Sequence, residues 1–577
     1  MAFLRNLLAT LTGLVLFSIV GILILFGIVA SASQEETPDV KNNTILSFEM
    51  SGVLVDKAVD DPFLKAIGNS PKQHSLLDII ASIKAAKTDS RIEGIYIKPM
   101  FLSAGYASLQ EIRDALLDFK ASGKFVYAYG EYVSESDYYV SSVADSLFIN
   151  PTGSMEFNGL SANITFFKGL FEKLDIEPQV FRVGEFKSFV EPFIRKDMSE
   201  ENKLQYNELL ASMYGTYLTN VSLNLDKTVE ELSEVSNTMK VRLPKDALAN
   251  GLVHKVGYED EIKRAIRNRM GLTEDAKLKF MSLSTYHQVL KSESKYSKNK
   301  VAVIVAEGNI VMGGDEGIVG ETFAKEVRKA RESKSVKAIV LRVNSGGGSM
   351  TASDMIWREL MLTKGEKPIV ASMGNAAASG GYYIAMPADE IIAQPNTITG
   401  SIGIFGLWFN FSKFLENKVG ITHDVVKTGE YSDIYTVTRQ LNDQEKAIIQ
   451  STVDEGYEVF TQKVAENRGM TQERVKEVGG GRVWSGEQAL EKGLVDQLGS
   501  FNDAVELAAE KAGIADDYRV SYYPKKKPFI EEFLEKMSSR IRTAIVGTEV
   551  DPYIQQIESV KQLEGIQARL PGELEIK

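Results

Sequence analysis

The 577-residue chain predicts an α/β protein made of two tandem copies of one domain behind a single transmembrane helix. Three observations carry this: a long uncharged run near the N-terminus, a set of residues that recurs at constant spacing, and an alternation of short apolar runs with helical patterns. Hydrophobic residues make up 44% of the chain and charged ones 25%. Those are ordinary values for a protein with a full core, and the length admits several domains.

The first element is the uncharged run from Leu7 to Ala32. A helix needs about 20 apolar residues to cross a bilayer. Arg5 precedes the run, and Glu35, Glu36 and Asp39 follow it. The positive-inside tendency puts residues 1–6 in the cytoplasm and the bulk of the chain outside. Ala30-Ser31-Ala32 resembles a signal-peptidase site. A cleavable apolar region is only about 7–15 residues long, however, so residues 7–32 read as an uncleaved signal anchor. The remainder reads as a soluble portion tethered to the membrane.

The repeat comes next. "GKFVYAYGEYVSESDYYVSSVADSLFINP" ends at Pro151, and "KPIVASMGNAAASGGYYIAMPADEIIAQP" ends at Pro395, 244 residues later. At the same spacing Gly130 matches Gly374, Tyr138-Tyr139 match Tyr382-Tyr383, and Ala144-Asp145 match Ala388-Asp389. "IEGIYIKPM" at Ile92 likewise matches "VKAIVLRVN" at Val336, and "VGEFKS" matches "KTGEYSD" near Gly429 at a spacing one residue longer. This is a duplication, with copies over 40–292 and 299–523, a linker around 292–300 and a tail over 524–577.

Within each copy, "GIYIKPM" and "KAIVLRV" are short, apolar and β-branched, the signature of buried strands. "SLQEIRDALLDFKASG" and "ASDMIWRELMLTKG" have helical periodicity and end near glycine. Strands alternating with helices imply a parallel sheet with helices on its faces. In the tail, "KKKPFIEEFLEKMSSRIRTAIV" predicts an amphipathic helix with a basic start, a packing or assembly element, with membrane contact as the second reading.

Composition removes several chemistries. A net charge of −12 argues against a nucleic-acid partner, which needs a basic surface. The chain has no cysteine, so disulfides, thiol nucleophiles and thiolate metal sites are out. His74, His254, His287 and His423 make no HExxH and no ligand pair. There is no phosphate-binding P-loop and no G-x-S-x-G elbow. His423-Asp424 lies in a polar turn, where a lone histidine is usually just solvated.

Two stretches of the second copy remain. "LRVNSGGGSM" places Gly346, Gly347 and Gly348 directly after a buried strand, where bare backbone N–H groups suit an oxyanion. "NAAASGGYY" places Ser379 among small residues that let a substrate approach closely. Taken alone, each is equally a flexible turn or a tightly packed helix. The repeat supplies a control. The first copy has Glu135 in place of Ser379 and "FLSAG" in place of "SGGGS". Conversely, "GEFKSFVEPF" in the first copy carries Lys187 among Phe186, Phe189, Val190 and Phe193, where the second copy has Ser432. One copy kept the serine and the glycines, and the other kept the lysine. A serine lacking a histidine needs another base. Lysine serves only when neutral, and apolar neighbours lower its pKa from about 10.4. Ser379 and Lys187 therefore read as a nucleophile–base pair.

These residues resemble a known family. The anchor, the duplication, "VNSGGGSMTAS", "AAASGGYYIAMPAD", "TGSIGIFG" and "GEFKSFVEPFIR" are together similar to the long form of signal peptide peptidase A, or protease IV. The resemblance runs from the anchor to "LEGIQARLP". It implies tandem Clp protease/crotonase-like α/β/α domains and peptide hydrolysis by a Ser-Lys dyad without metal or cofactor. It assigns Ser379 as nucleophile, Lys187 as general base, and Gly348 and Gly380 as the oxyanion hole with Gly347 beside them. Thr399–Phe405 would flank the substrate, making Gly400, Ser401, Ile402 and Gly403 substrate-binding residues. It also implies remnant signal peptides as substrates, a homo-oligomer with a tetramer expected, and catalytic domains on the periplasmic side of a bacterial inner membrane. Gly346 departs from the family turn, which carries proline there; proline would fix φ but contributes no N–H to the hole. Two alternatives stand beside this assignment. One is a crotonase-type acyl-CoA enzyme, which would leave Ser379 and Lys187 without roles. The other is a non-catalytic membrane scaffold.

Overall fold

A computed structural model describes residues 2–33, 39–58, 72–293, 296–314, 317–524 and 565–570. Ala2–Ser33 is one continuous helix. Many of its side chains fall outside the described set, and among the described residues no helix is long and apolar enough to cross a membrane. The expected amphipathic helix of the tail lies outside the described residues.

Each copy holds a mostly parallel sheet. In the first, the spatial order is Gln73–Ser75, Thr44–Val55, Ile92–Ser103, Phe125–Val133, Ser146–Met155 and Lys255–Val256, with Lys279–Ser282 also beside Thr44–Val55. In the second it is Val483–Ser485, Ile398–Gly400, Ile369–Ala378, Val336–Ser345, Lys300–Glu307 and Arg519–Tyr523. The central three strands correspond across the copies and are parallel in both. Strands buried on both faces need unbroken apolar runs, and Val336–Ser345 is buried at nearly every position. The expected helices form as Tyr106–Lys120 and Met350–Thr363. Ser349 caps the second, accepting the N–H of Ala352.

The repeated residues do the same structural work twice. The Asp145 carboxylate accepts the N–H of Val126 at 2.8 Å, and that of Asp389 accepts the N–H of Ile369 at 2.8 Å. Tyr138 donates its hydroxyl to the Leu252 carbonyl, and Tyr382 donates to the Leu494 carbonyl. Both aspartates tie a loop to a strand end, and both tyrosines are fully buried rings that need a partner for the hydroxyl.

A third sheet was not expected from the sequence. Its order is Ile318–Val319, Ile310–Val311, Gly347–Ser349, Gly565–Arg569, Phe405–Asn410 and Glu177–Arg182. It draws strands from both copies and from the tail. Glu177–Arg182 of the first copy pairs antiparallel with Phe405–Asn410 of the second, with Arg182 opposite Phe405. The copies are also joined by a buried charge cluster. The Arg342 guanidinium, fully buried, meets Asp56 at 2.9 Å and Glu111 at 2.8 Å.

Candidate active site

The strand Ile369–Ala378 ends at Ser379, and a short helix, Gly380–Ala385, begins immediately after it. Ser379 is held at φ 55°, a conformation an L-residue rarely adopts. Its N–H donates to the Gly400 carbonyl at 2.8 Å, and its carbonyl accepts the N–H of Tyr383. These bonds fix the strained turn and aim the hydroxyl out of the sheet end. Such strain persists only where its surroundings enforce it, and it clusters at functional sites.

Lys187 arrives from the other copy. Glu177–Arg182 is zipped onto Phe405–Asn410, so the loop that follows is delivered beside the second copy's sheet. Lys187 precedes a turn of 3₁₀ helix, Ser188–Val190. Its Nζ donates to Ser379 Oγ at 2.8 Å, to Ser401 Oγ at 3.1 Å and to the Ser401 carbonyl at 3.3 Å. The residue is completely buried, and among the described residues no carboxylate pairs with it. Desolvation holds its pKa well below the ordinary 10.5.

The apolar wall differs in part from the sequence expectation. The ring nearest Nζ is Phe405, 6.0 Å from centroid to nitrogen. Phe189 stacks on Phe405 at 4.8 Å, and Phe193 lies edge-on to Phe409 behind it. Phe186 instead lies against the Arg482 guanidinium at 4.8 Å, because its backbone N–H is tied to the Gly480 carbonyl. The stem of Lys187 threads between two glycines. A methyl group on Gly481 would lie 2.6 Å from Lys187 Cβ, and one on Gly403 would lie 3.2 Å from Cδ.

The loop is held from behind by polar groups that sequence reasoning missed. Gln205 donates to Ser188 Oγ at 2.7 Å and to the Phe186 carbonyl at 3.3 Å. The buried Glu191 carboxylate accepts from the Asn202 side chain and the Ser199 N–H. No local pattern marks these residues, because each acts on a segment folded against it. The spacing "SEENKLQ" signals only a helix start, and Ser199 does cap Glu200–Ser222.

The first copy shows what replaced the serine. The Glu135 carboxylate accepts N–H groups from Asn158 at 2.9 Å and Gly159 at 3.0 Å. By the 244-residue spacing, those two correspond to Ile402 and Gly403. The acid ties down the loop that in the second copy borders Ser379 and Lys187. Ser432, in the place of Lys187, is exposed and donates its hydroxyl to the Gly429 carbonyl at 2.8 Å.

Gly347 and Gly348 have φ of 97° and 156°, open only to glycine without strain. They lie beside the N–H of Gly380: a methyl group on Gly347 would sit 2.6 Å from that nitrogen. Gly346 does not share the left-handed backbone. The four residues expected to bind substrate lie close to Ser379 and Lys187. Gly400 accepts from Ser379, Ser401 receives Lys187, Ile402 is buried in the core with its carbonyl bonded to the Gly481 N–H, and Gly403 borders the lysine stem. The strands Gly347–Ser349 and Phe405–Asn410 lie on either side of Gly565–Arg569.

The sequence profile of Peptidase family S49 matches residues 118–273 and 362–515, one stretch in each copy. Protease 4 of Salmonella typhi is 35% identical over 520 residues, covering 87% of this chain and 83% of that protein. The chain belongs to peptidase family S49. Serine protease SPPA, chloroplastic, of Arabidopsis thaliana is 33% identical, over 92% of this chain and 78% of that one. Protease 4 of Haemophilus influenzae is 35% identical, over 83% and 79%. A ClpP1 mutant from Listeria monocytogenes matches 36% of this chain and 95% of its own at 16% identity, with a TM-score of 0.24. Membership of S49, with relatives of this coverage, makes the chain a serine peptidase of the duplicated form.

Proposed function

We propose that Ser379 is the nucleophile and Lys187 the general base of a Ser-Lys dyad assembled from the two copies. The observation that carries this is the 2.8 Å bond between Ser379 Oγ and a fully buried Lys187 Nζ. A lysine kept neutral by desolvation accepts the hydroxyl proton as Oγ attacks the peptide carbonyl. The ammonium so formed is held by Ser401 and then gives its proton to the leaving amine. Burial makes that ammonium costly, which favours the second transfer. N–H groups of Gly348 and Gly380 receive the developing oxyanion, and the bare Cα of Gly347 leaves room for it. Water then hydrolyses the ester by the same proton path in reverse. Lys187 supplies the proton chemistry, so the proposed reaction needs neither metal nor cofactor.

The proposed substrates are apolar peptides, remnant signal peptides above all, cut outside the cytoplasmic membrane. The uncharged run over 7–32, the charges around it and the resemblance to signal peptide peptidase A support this. A homo-oligomer, a tetramer by the same resemblance, goes with it.

The test is labelling with a fluorophosphonate and mapping of the adduct by mass spectrometry. The adduct belongs on Ser379 in wild type and is absent from Ser379→Ala and Lys187→Arg, since arginine does not give up its proton. An unlabelled wild type would favour a scaffold, and an adduct elsewhere would refute the assignment.

A further inference from the structure

A second cavity, of about 580 Å³, opens at the junction of the two copies, and neither Ser379 nor Lys187 lines it. The first copy contributes Gln110 and Asp114 of the helix Tyr106–Lys120, with Ser212 and Thr216 from one face of the helix Glu200–Ser222. The second copy contributes Gln394 and Glu487. Cavities of this size between domains are ordinary sites for small ligands.

The lining carries carboxyl groups and no counter-charge: Asp114 and Glu487 belong to it, and no lysine or arginine does. Gln110 fixes Asp114 in place. Its amide donates to Asp114 Oδ1 at 2.6 Å, while its own Oε1 accepts from Asn220 at 2.7 Å and from the Tyr139 hydroxyl. Among the described residues no cation forms an ion pair with Asp114, and Gln110 is its one hydrogen-bond donor. Burial pushes the Asp114 carboxyl up to about 6. In the second copy's wall, Gln394 is 2% exposed, and its Nε2 has no hydrogen-bond partner among the described residues. A buried donor without a partner costs free energy, so a ligand acceptor at this wall would satisfy it.

The occupant that suits these walls brings a cation for the carboxylates and an acceptor for Gln394. The free amino end of a peptide carries both within one residue, an ammonium and the first carbonyl. Val229 and Leu498 offer its side chain apolar surface. We propose that the junction cavity binds the free amino terminus of a short peptide, with Asp114 and Glu487 on the ammonium and Gln394 Nε2 on the first carbonyl. A peptidase releases one such end at every cut, so the ligand is a product of this chain's own class of reaction. Bound there, it bridges the two copies. Two short routes lead from the cavity to the active site. Ser212 Oγ lies 2.8 Å from Ser485 Oγ, the strand Val483–Ser485 pairs with Ile398–Gly400, and the Gly400 carbonyl accepts the Ser379 N–H. The helix Glu200–Ser222 also carries Gln205, which holds the Lys187 loop. Occupancy therefore bears on the junction across which Ser379 and Lys187 meet.

The test is isothermal titration calorimetry of the dipeptide Ala-Leu into the full chain in non-ionic detergent. N-acetyl-Ala-Leu, which lacks the ammonium, and putrescine, which lacks the carbonyl, are expected to bind at least about tenfold more weakly than Ala-Leu. Asp114→Asn keeps an acceptor for Gln110 and loses the charge, and Gln394→Met removes the donor at nearly constant volume. Each is expected to weaken Ala-Leu by a similar factor, with folding checked by circular dichroism. No binding to wild type, or binding that either folded variant leaves unchanged, overturns the proposal. N-acetyl-Ala-Leu binding as tightly as Ala-Leu removes the ammonium from the site and overturns it too. Putrescine binding as tightly makes the cavity a site for cations alone and overturns the peptide assignment.

Discussion

Burial of Lys187 costs the fold stability, and the proposed role as base depends on that burial. Its ammonium is disfavoured by burial, so the unfolded chain binds a proton that the folded one resists. Between the lowered folded pKa and the ordinary 10.5, stability therefore rises with pH, because the unfolded state holds more protons there. Lys187→Met should remove that slope and raise Tm by a few degrees at neutral pH, while reducing kcat/KM by at least about a thousandfold. Thermal melts against pH for both proteins check the sign, and an unchanged slope would mean that the lysine is not desolvated. The same burial sets the activity profile. kcat/KM should rise with pH through the lowered pKa of Lys187. Phe189 stacks on Phe405, the ring nearest Nζ, so Phe189→Asn should admit water, favour the ammonium and move the profile to higher pH. Phe186 faces Arg482, and Phe186→Asn should leave the profile where it is. Profiles from about pH 6 to 10 decide between the two rings.

At the scale of elements, the site depends on one inter-copy strand pair and one narrow channel. Pairing of Glu177–Arg182 with Phe405–Asn410 sets the height of Lys187, and Gly403 with Gly481 sets its lateral position. Gly481 has φ 81° and no room for a methyl group beside the lysine backbone. Gly481→Ala should shift Nζ by a fraction of an ångström to an ångström and lower kcat by about a hundredfold, with KM much less affected. Steady-state kinetics on a short peptide, with circular dichroism as the folding control, reads this out. Much of this level was legible in the sequence. "KAIVLRV" and "ASDMIWRELMLTKG" carry their periods locally, and the reciprocal loss of Ser379 and Lys187 needed only the repeat. The third sheet was not legible. Several of its strands are short, such as Ile310–Val311 and Gly347–Ser349, and the partners that join them into one sheet lie far away in the chain, as Gly347–Ser349 does from Gly565–Arg569. Gln205 and Gly481 were missed for the same reason: each acts through contact with a segment brought to it by folding. Ser401 was expected beside the substrate, and only the side-chain geometry places it on Lys187.

At the scale of the whole molecule, duplication divided the labour. The first copy has Glu135 in place of the serine and the second has Ser432 in place of the lysine, so the proposed dyad draws one residue from each copy. The active site is therefore only as rigid as the junction between the copies. At that junction, Arg342 of the second copy is buried between Asp56 and Glu111 of the first, with further bonds to Ser372. Glu111 also accepts the N–H of Phe501, tying in the helix Phe501–Lys511. Removing one partner of such a cluster strands buried charge and costs about 3–5 kcal/mol, whereas replacing the whole cluster by apolar groups is often neutral. Arg342→Met should accordingly lower stability by that amount in urea unfolding, and Arg342→Met with Asp56→Leu and Glu111→Leu should recover most of it. Activity separates two roles for the cluster. If it also fixes the register of the copies, the triple variant will be stable yet slow, with lower kcat, because Nζ and Oγ must meet within hydrogen-bond distance across that junction. If the strand pair at Phe405–Asn410 fixes the register alone, the triple variant will regain full kcat together with its stability.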